Sequence, residues 1–294
     1  MRASVCEQIL IRGLRYNVRQ WGPADAPPVF LLHGWMDSSA SFQFVVDALQ
    51  HEWRLIAPDW RGYGQSEWLG RPYWFPDYYA DLEALLQHYS PDAPATLVGH
   101  SMGANIAGTY AGVRPERVAR LVMLDFLGLK PLPGMDAPTA IGNWLDEISQ
   151  PPRLRSYVDH LALARRLLAV NPRLTRERAE FLALNVGCRL ADGSYGMACD
   201  PWHKVPAPTV YRIEDAMAAW RKATAPTLMI KAEKGFVNQR FGRDSEEFWR
   251  RAGCFSQLRV EWIADAGHNL QHDQPEAVAA CLEPFLLEGL ADDC

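Results

Sequence analysis

Residues 95–113 read ATLVGHSMGANIAGTYAGV, and this stretch decides the fold of the chain. Residues 95–98 are a short apolar run that predicts a buried strand, and the small residues after Met102 predict a helix. Between them, Gly99 to Gly103 fit the pattern Gly-x-Ser-x-Gly, which puts Ser101 on a tight turn with its hydroxyl exposed. Glycines suit the flanking positions because Cβ atoms there would collide with the sharply turned backbone.

Outward from this turn, short apolar runs alternate with helical patterns. A hairpin is predicted at the start of the chain, turning at Gly13, and strands are predicted over 27–33, 53–58, 95–99, 120–125, 226–232 and 257–263. Helices are predicted over 38–50, 77–89 and 102–113, around 245–251, and from Pro275 onward. Strands separated by helices pair in parallel through right-handed crossovers, so the sequence predicts an α/β sheet covered on both faces.

The alternation stops in the middle of the chain. Residues 129–222 show no clear strand, and helices are predicted there over 153–170 and 175–186. A helical block inserted between two strands of one sheet is typical of a cap over the edge where open α/β sheets bind ligands. We therefore predict a core domain of residues 1–128 and 223–294, and a helical cap domain, or lid, of residues 129–222.

Composition excludes several classes of protein. The chain has 294 residues, 48% of them hydrophobic, which is enough for the core of one large α/β unit. Its net charge of −5 and the lack of a basic cluster argue against nucleic-acid binding. The N-terminal residues lack the apolar core of a secretory signal, and no apolar run is long enough to anchor the chain in a membrane. Scattered cysteines without a Cys-x-x-Cys pair indicate reduced thiols and a cytoplasmic location: Cys6, Cys188, Cys199, Cys254, Cys281 and Cys294.

A serine hydroxyl is a weak nucleophile until a base removes its proton. The candidate base is His268, which lies after the last predicted strand and before the last helix, C-terminal to Ser101. The main competitor is His272, four residues further on. No metal or other cofactor is implied by this arrangement.

A carbonyl attacked by Ser101 would need two backbone N–H donors for its oxyanion. We expect them from Met102, directly after the serine, and from Trp35, in the turn after strand 27–33. Gly34, His100 and Trp144 are the expected contributors to a substrate pocket.

Several segments together resemble the α/β-hydrolase superfamily, in the order that it uses. They are His33-Gly34-Trp35, Asp59 to Ser66, Gly99 to Gly103, and Gly267-His268 before Gln274-Pro275-Glu276. HGWMDSSASF and LDFLG are most similar to the serine hydrolase-like group. The resemblance implies an eight-stranded, mostly parallel sheet with a helical cap after the sixth strand, and it implies no substrate because the fold hosts many chemistries. Asp59 and Arg61 are expected to hold their loop rather than to react.

The acid that orients the histidine departs from the family pattern. In most of the family an Asp follows the strand that is here 226–232, and the matching residue is Gly235. We favour Asp125, because a right-handed crossover places its strand next to that of Ser101, about 4.8 Å away. Some members of the family, including certain haloalkane dehalogenases, carry their acid at this place. Weaker candidates are Glu233 and the pair Glu214-Asp215.

These residues predict a serine hydrolase that cleaves carboxylic esters of small to medium acyl chain through an acyl-enzyme. Thioesters, carbon–carbon bonds and amides are alternative targets of the same groups. Dehalogenation and epoxide hydrolysis are disfavoured because that chemistry uses an Asp where this chain has Ser101. A hypothesis of another class is a non-catalytic ligand-binding protein, which Gly235 at the acid position favours.

Overall fold

The structure is a computed structural model that describes residues 1–291, with side chains through Glu288. Cys294, one of the predicted thiols, lies outside the described residues with Asp292 and Asp293, and the five described cysteines are unpaired. None of the described helices is long and apolar enough to cross a membrane.

The described chain forms eleven strands and eleven α-helices. The strands are β1 (Val5–Ile11), β2 (Leu14–Trp21), β3 (Pro28–Leu32), β4 (Arg54–Pro58), β5 (Ala95–His100), β6 (Val118–Leu124), β7 (Ser156–Tyr157), β8 (Gly187–Arg189), β9 (Tyr195–Met197), β10 (Thr227–Lys234) and β11 (Leu258–Gly267). The helices are α1 (Gln43–Ala48), α2 (Pro76–Tyr89), α3 (Met102–Val113), α4 (Ala137–Ile148), α5 (His160–Val170), α6 (Arg176–Asn185), α7 (Ile213–Trp220), α8 (Phe236–Phe241), α9 (Glu246–Ala252), α10 (Leu270–Asp273) and α11 (Pro275–Ala291).

Eight strands make one sheet in the order β1-β2-β4-β3-β5-β6-β10-β11. Strand β2 pairs antiparallel with both neighbours, and the other pairs of adjacent strands are parallel. This confirms the predicted eight-stranded, mostly parallel sheet with an insertion after its sixth strand. In the register of the central strands, Gly99 lies between Leu32 and Met123, so the C-terminal ends of β3, β5 and β6 meet at one edge.

Both faces of the sheet are covered by apolar side chains. In β3, Phe30 and Leu32 belong to the cluster under α2, α3 and α7, whereas Val29 and Leu31 belong to the cluster under α1, α10 and α11. This is why strand 27–33 is apolar throughout instead of alternating. Each such side chain contributes about 1.5–3 kcal/mol by its burial, so the central strands form a rigid base for the loops at their ends.

Between β6 and β10 the chain forms α4 to α7 and a small antiparallel sheet in the order β7-β9-β8. The prediction that this stretch holds no strand was wrong, because strands of two or three residues are too short to show an alternating pattern. The predicted helix over 153–170 begins only at His160, where the Asp159 carboxylate caps it by accepting the Ala162 N–H at 2.7 Å. Helix α6 agrees with the helix predicted over 175–186.

The last helix before β10, α7, packs on α3 rather than over the edge of the sheet. A Cβ atom on Gly112 of α3 would lie 1.8 Å from the backbone oxygen of Ala219, and Trp220 is fully buried in the core. The division of the chain into a core and a cap at residues 129 and 222 stays a prediction.

A buried ionic network holds the loop that follows β4. Asp59 accepts hydrogen bonds from the backbone N–H groups of Ser39 and Gln65, at 2.7 and 3.0 Å. Arg61 contacts both oxygens of Asp81, a residue of α2 with no exposed surface. These contacts agree with a structural role for Asp59 and Arg61.

The network predicts that Asp81→Asn destabilises the protein by about 3–5 kcal/mol, because the buried Arg61 guanidinium would lose the charge that balances it. Asp77 is the matched control: it also contacts Arg61, at 2.9 Å, but its side chain is 28% exposed. We expect Asp77→Asn to cost no more than about 1 kcal/mol. Urea denaturation of the three proteins measures both values, and equal losses would mean that the burial of Asp81 does not decide the effect.

Candidate active site

Ser101 lies at the turn between β5 and α3 with a φ of 51°, a backbone conformation that costs about 1–3 kcal/mol for residues other than glycine. Close packing of the backbone maintains it. A Cβ atom on Gly99 would lie 2.5 Å from the Ala104 nitrogen, and one on Gly103 would lie 2.0 Å from the Leu32 oxygen. The two glycines of the motif are therefore required by backbone contacts within the turn and with β3.

Three side chains predicted from the sequence form one hydrogen-bonded line. The Ser101 hydroxyl oxygen lies 2.9 Å from Nε2 of His268, and Nδ1 of His268 lies 2.8 Å from Oδ2 of Asp125. His268 is 35% exposed whereas Asp125 is fully buried. A neutral imidazole in this position donates from Nδ1 to the carboxylate and accepts the serine proton at Nε2.

Asp125 follows β6 directly, also with a positive φ, of 47°. Its carboxylate accepts hydrogen bonds from the backbone N–H groups of Phe236, at 2.5 Å, and Ala232, at 3.3 Å. Burial raises the pKa of Asp125, while the hydrogen bond and charge of His268 and the two N–H groups oppose the rise. The carboxylate is thus fixed from both sides, by β10 and by the histidine.

Gly235 explains why the sequence lacks an acid at the usual place. A Cβ atom on Gly235 would lie 2.4 Å from both carboxylate oxygens of Asp125, so the Asp125 carboxylate needs the space that a side chain at 235 would fill. The other candidate acids point elsewhere. Glu233 accepts the backbone N–H of Asp265 at 2.8 Å, and the pair 214–215 is exposed on α7.

Buried polar groups hold the loop that carries His268. The backbone oxygen of His268 lies 2.8 Å from Nε2 of His100, a buried imidazole that desolvation keeps neutral by lowering its pKa. The neighbouring Gly267 N–H donates to Asp273 at 2.7 Å. The competing base, His272, is bound instead to the Ser41 hydroxyl, at 2.6 Å, and burial lowers its pKa to about 3.

The two predicted oxyanion donors lie beside the serine. Gly34, just before Trp35, approaches so closely that a Cβ atom there would lie 3.2 Å from Cβ of Ser101 and 2.9 Å from Nδ1 of His100. Within the described residues, the backbone N–H groups of Trp35 and Met102 donate no hydrogen bond. Both remain available to a ligand.

A cavity of about 140 Å³ opens onto Ser101, His268 and His100. The segment inserted after β6 contributes its apolar wall, which consists of Leu167, Val170, Leu174, Leu182, Val186 and Met197, and also Asn171. The other lining residues are Trp35, Met36, Asp37, Asn269 and His272. Trp144, a predicted pocket residue, lies on α4 and does not line this cavity.

Sequence reasoning missed the cavity walls and the polar groups Asp37 and Asn269. Asp37 lies within the HGWMDSSASF segment, and Asn269 directly follows His268. Their position next to these motifs was the only feature of the sequence that could have indicated a place in the cavity. No cluster of three or more His, Cys, Asp or Glu side chains that could hold a metal ion occurs in residues 1–291.

The comparisons with known proteins agree with the fold. A family model described as alpha/beta hydrolase fold matches residues 27–275. A serine hydrolase-like protein of Danio rerio is 28% identical over 90% of this chain and 83% of its own, which confirms the resemblance to that group. A 3-hydroxybutyrate-oligomer hydrolase of Cupriavidus necator is 29% identical over 92% of each. The thioesterase domain from the curacin biosynthetic pathway, 23% identical, superposes with a TM-score of 0.80 over 95% of this chain and 98% of the domain, a likeness of fold.

The packing of Gly235 predicts that Gly235→Ala displaces the Asp125 carboxylate from His268 and lowers the free energy of unfolding by about 1–3 kcal/mol. The φ of Gly235 is −85°, so backbone strain adds nothing. Gly142 of α4 has open space around its Cβ position, and Gly142→Ala is expected to stabilise by up to about 1 kcal/mol. Denaturation curves and a crystal structure of the 235 variant test this, and an unmoved carboxylate would contradict it.

Proposed function

The chain belongs to the α/β-hydrolase fold family, and on that premise we propose that it is a serine hydrolase of carboxylic esters with small to medium acyl chains. The observation that carries the proposal is the line of hydrogen bonds from Ser101 through His268 to Asp125, at 2.9 and 2.8 Å. The cavity of about 140 Å³ at the serine favours short acyl groups.

In the acylation step, the Ser101 oxygen attacks the ester carbonyl while Nε2 of His268 takes the serine proton. The imidazolium that forms is stabilised by the Asp125 carboxylate on its other nitrogen. The tetrahedral intermediate collapses when His268 gives its proton to the leaving alcohol oxygen. The acyl group then remains as an ester on Ser101.

In the deacylation step, a water molecule replaces the alcohol. His268 takes a proton from the water, whose oxygen attacks the acyl carbon, and a second tetrahedral intermediate forms. The proton returns to the Ser101 oxygen as the acyl-enzyme bond breaks, which releases the carboxylic acid and restores the starting site. Asp125 accepts from Nδ1 throughout and stays ionised.

The negative charge on the carbonyl oxygen develops in both steps and needs donors already in place. The Trp35 and Met102 N–H groups are free of acceptors among the described residues, which supports their assignment to this role. Loss of one such donor typically slows an enzyme by about 10²–10³-fold. Because both donors belong to the backbone, no side-chain substitution removes them directly.

The alternative of another class is a ligand-binding protein without catalysis. Its support was the missing acid at Gly235, and that support is lost because the Asp125 carboxylate takes the space there. Cleavage of thioesters, carbon–carbon bonds or amides by the same three side chains remains an alternative. The name of the Cupriavidus necator relative describes that protein as a hydrolase of 3-hydroxybutyrate oligomers. A cytoplasmic location stays a prediction that rests on the scattered cysteines.

The proposal predicts a rapid burst of p-nitrophenol, about one per protein molecule, when the chain meets a p-nitrophenyl ester of a short acid. Stopped-flow absorbance measures it. Ser101→Ala should abolish the burst and lower turnover by about 10⁶-fold. A matching thioester and anilide, run in parallel, show which acyl bond is cleaved. Equal rates for the parent and the alanine variant on all three substrates would overturn the proposal.

The acid assignment predicts that Asp125→Asn lowers kcat by about 10⁴-fold, because an amide at this position favours the wrong tautomer of His268. Glu233→Gln is the matched control and should keep kcat within about twofold, since Glu233 contacts the Asp265 N–H rather than the histidine. Steady-state kinetics of both variants decide between the two carboxylates. A large loss in the 233 variant alone would assign the acid to Glu233.

A further inference from the structure

The lining of the cavity holds more hydrogen-bonding groups than the proposed reaction uses. It carries four polar side chains besides Ser101, His100 and His268, namely Asp37, Asn171, Asn269 and His272. Two of the four are engaged within the protein. The Asn171 amide donates to Asp273 at 2.6 Å, and Nε2 of His272 lies 2.6 Å from the Ser41 oxygen.

Asp37 retains acceptor capacity toward the cavity. Its carboxylate accepts the Ser38 N–H at 2.9 Å, and the neighbouring Ser41 side chain helps to hold down its pKa. The Ser41 oxygen also lies 2.6 Å from Nε2 of His272 and accepts from the Gln271 amide at 3.2 Å. An ionised carboxylate accepts at about four lone-pair positions, so acceptor positions are left for a ligand.

Asn269 retains both of its hydrogen-bonding functions. It precedes α10 but makes no side-chain capping bond to that helix, and within the described residues its amide makes no hydrogen bond. The side chain is partly buried at the cavity, next in sequence to His268. Its Nδ2 can donate to a ligand, and its Oδ1 can accept.

We propose that Asp37 and Asn269 form a hydroxyl-binding subsite, so that the preferred substrates are esters of short hydroxy acids. The proposal rests on the function proposed above. A hydroxyl on the acyl chain donates to the Asp37 carboxylate and accepts from Nδ2 of Asn269, which satisfies one donor and one acceptor at once. The rest of the acyl chain lies against the apolar wall formed by Leu167, Leu182 and Val186.

Other polar substituents on the acyl chain fit the subsite of Asp37 and Asn269 less well. A carboxylate on the acyl chain would be repelled by the Asp37 carboxylate. An ammonium group on the acyl chain would lose its hydration in a small cavity that is otherwise lined largely by apolar side chains. Burial raises the pKa of Asp37 to about 7, against hydrogen bonds from Ser41 and Ser38 that lower it, so the group is only partly ionised at neutral pH. Such a carboxyl balances a full positive charge poorly but still binds a hydroxyl.

The test compares two p-nitrophenyl esters of equal size, 3-hydroxybutanoate and 3-methylbutanoate, which differ by a hydroxyl in place of a methyl group. The parent protein is expected to show a kcat/KM at least roughly tenfold higher for the hydroxy ester. Asn269→Leu and Asp37→Leu should each bring the ratio of the two values close to one. If Asp37→Leu fails to fold, Asn269→Leu still decides, since its amide supports no other group.

Asn143→Leu is the matched control, because Asn143 is exposed on α4 away from the cavity lining, and its ratio should equal that of the parent. Two failures are distinguishable. No Ser101-dependent release of p-nitrophenol from either ester would defeat the proposed function itself. Release from both esters with a parent ratio near one, or a ratio that neither cavity variant changes, would defeat only the hydroxyl-binding subsite.

Discussion

The geometry of the site depends on where one buried carboxylate lies. Asp125 follows β6, and its oxygens are held by the Ala232 N–H of β10, by the Phe236 N–H at the start of α8 and by His268. Three donors offset the cost of burying the charge, which would otherwise raise the pKa of the acid further. Gly235 is the counterpart of this arrangement, because any side chain there would meet the carboxylate. The glycine at position 235 and the aspartate at position 125 are thus two parts of the same packing arrangement.

The central strands and the position of Ser101 could be predicted from the sequence, because short stretches of neighbouring residues determine them. The Gly-x-Ser-x-Gly turn between an apolar strand and a small-residue helix fixes the position of Ser101, and the central strands of the sheet show long apolar runs. Asp125 could be favoured over Glu233 as the acid only through topology, because no local signal distinguishes the two, and the assignment stays a prediction. The contact that settles where Glu233 points, a bond to the Asp265 N–H, joins residues that are far apart in sequence.

The inserted segment was predicted less well, for a physical reason. Its short strands and its docking contacts depend on tertiary packing rather than on periodic sequence. His203 stacks between Tyr63 and Tyr73, with ring centroids 3.9 and 3.6 Å apart, and Asp200 accepts the Gly70 N–H at 2.8 Å. Trp144 was expected in the pocket because it is aromatic and lies in this segment, yet leucine and valine side chains of α5 and α6 form the wall. Composition suggests which residue types could line a cavity. The packing of the inserted segment on the rest of the chain decides which residues line it.

The three side chains of the hydrogen-bonded line are held by different parts of the fold. Strands β5 and β6 are adjacent, and the Ser101 N–H donates to the Leu124 oxygen at 3.2 Å, so Ser101 and Asp125 extend from one pair of hydrogen-bonded strands. Their separation is fixed by the sheet. His268 instead lies on a loop after β11, two strands away from β6 in the sheet, and its backbone oxygen is bound by His100. The buried His100 is neutral, so this support does not place a second positive charge beside His268 when it takes up a proton. In the reaction proposed above, the residue that takes up and releases the proton is thus the one member of the line that the central strands do not hold directly.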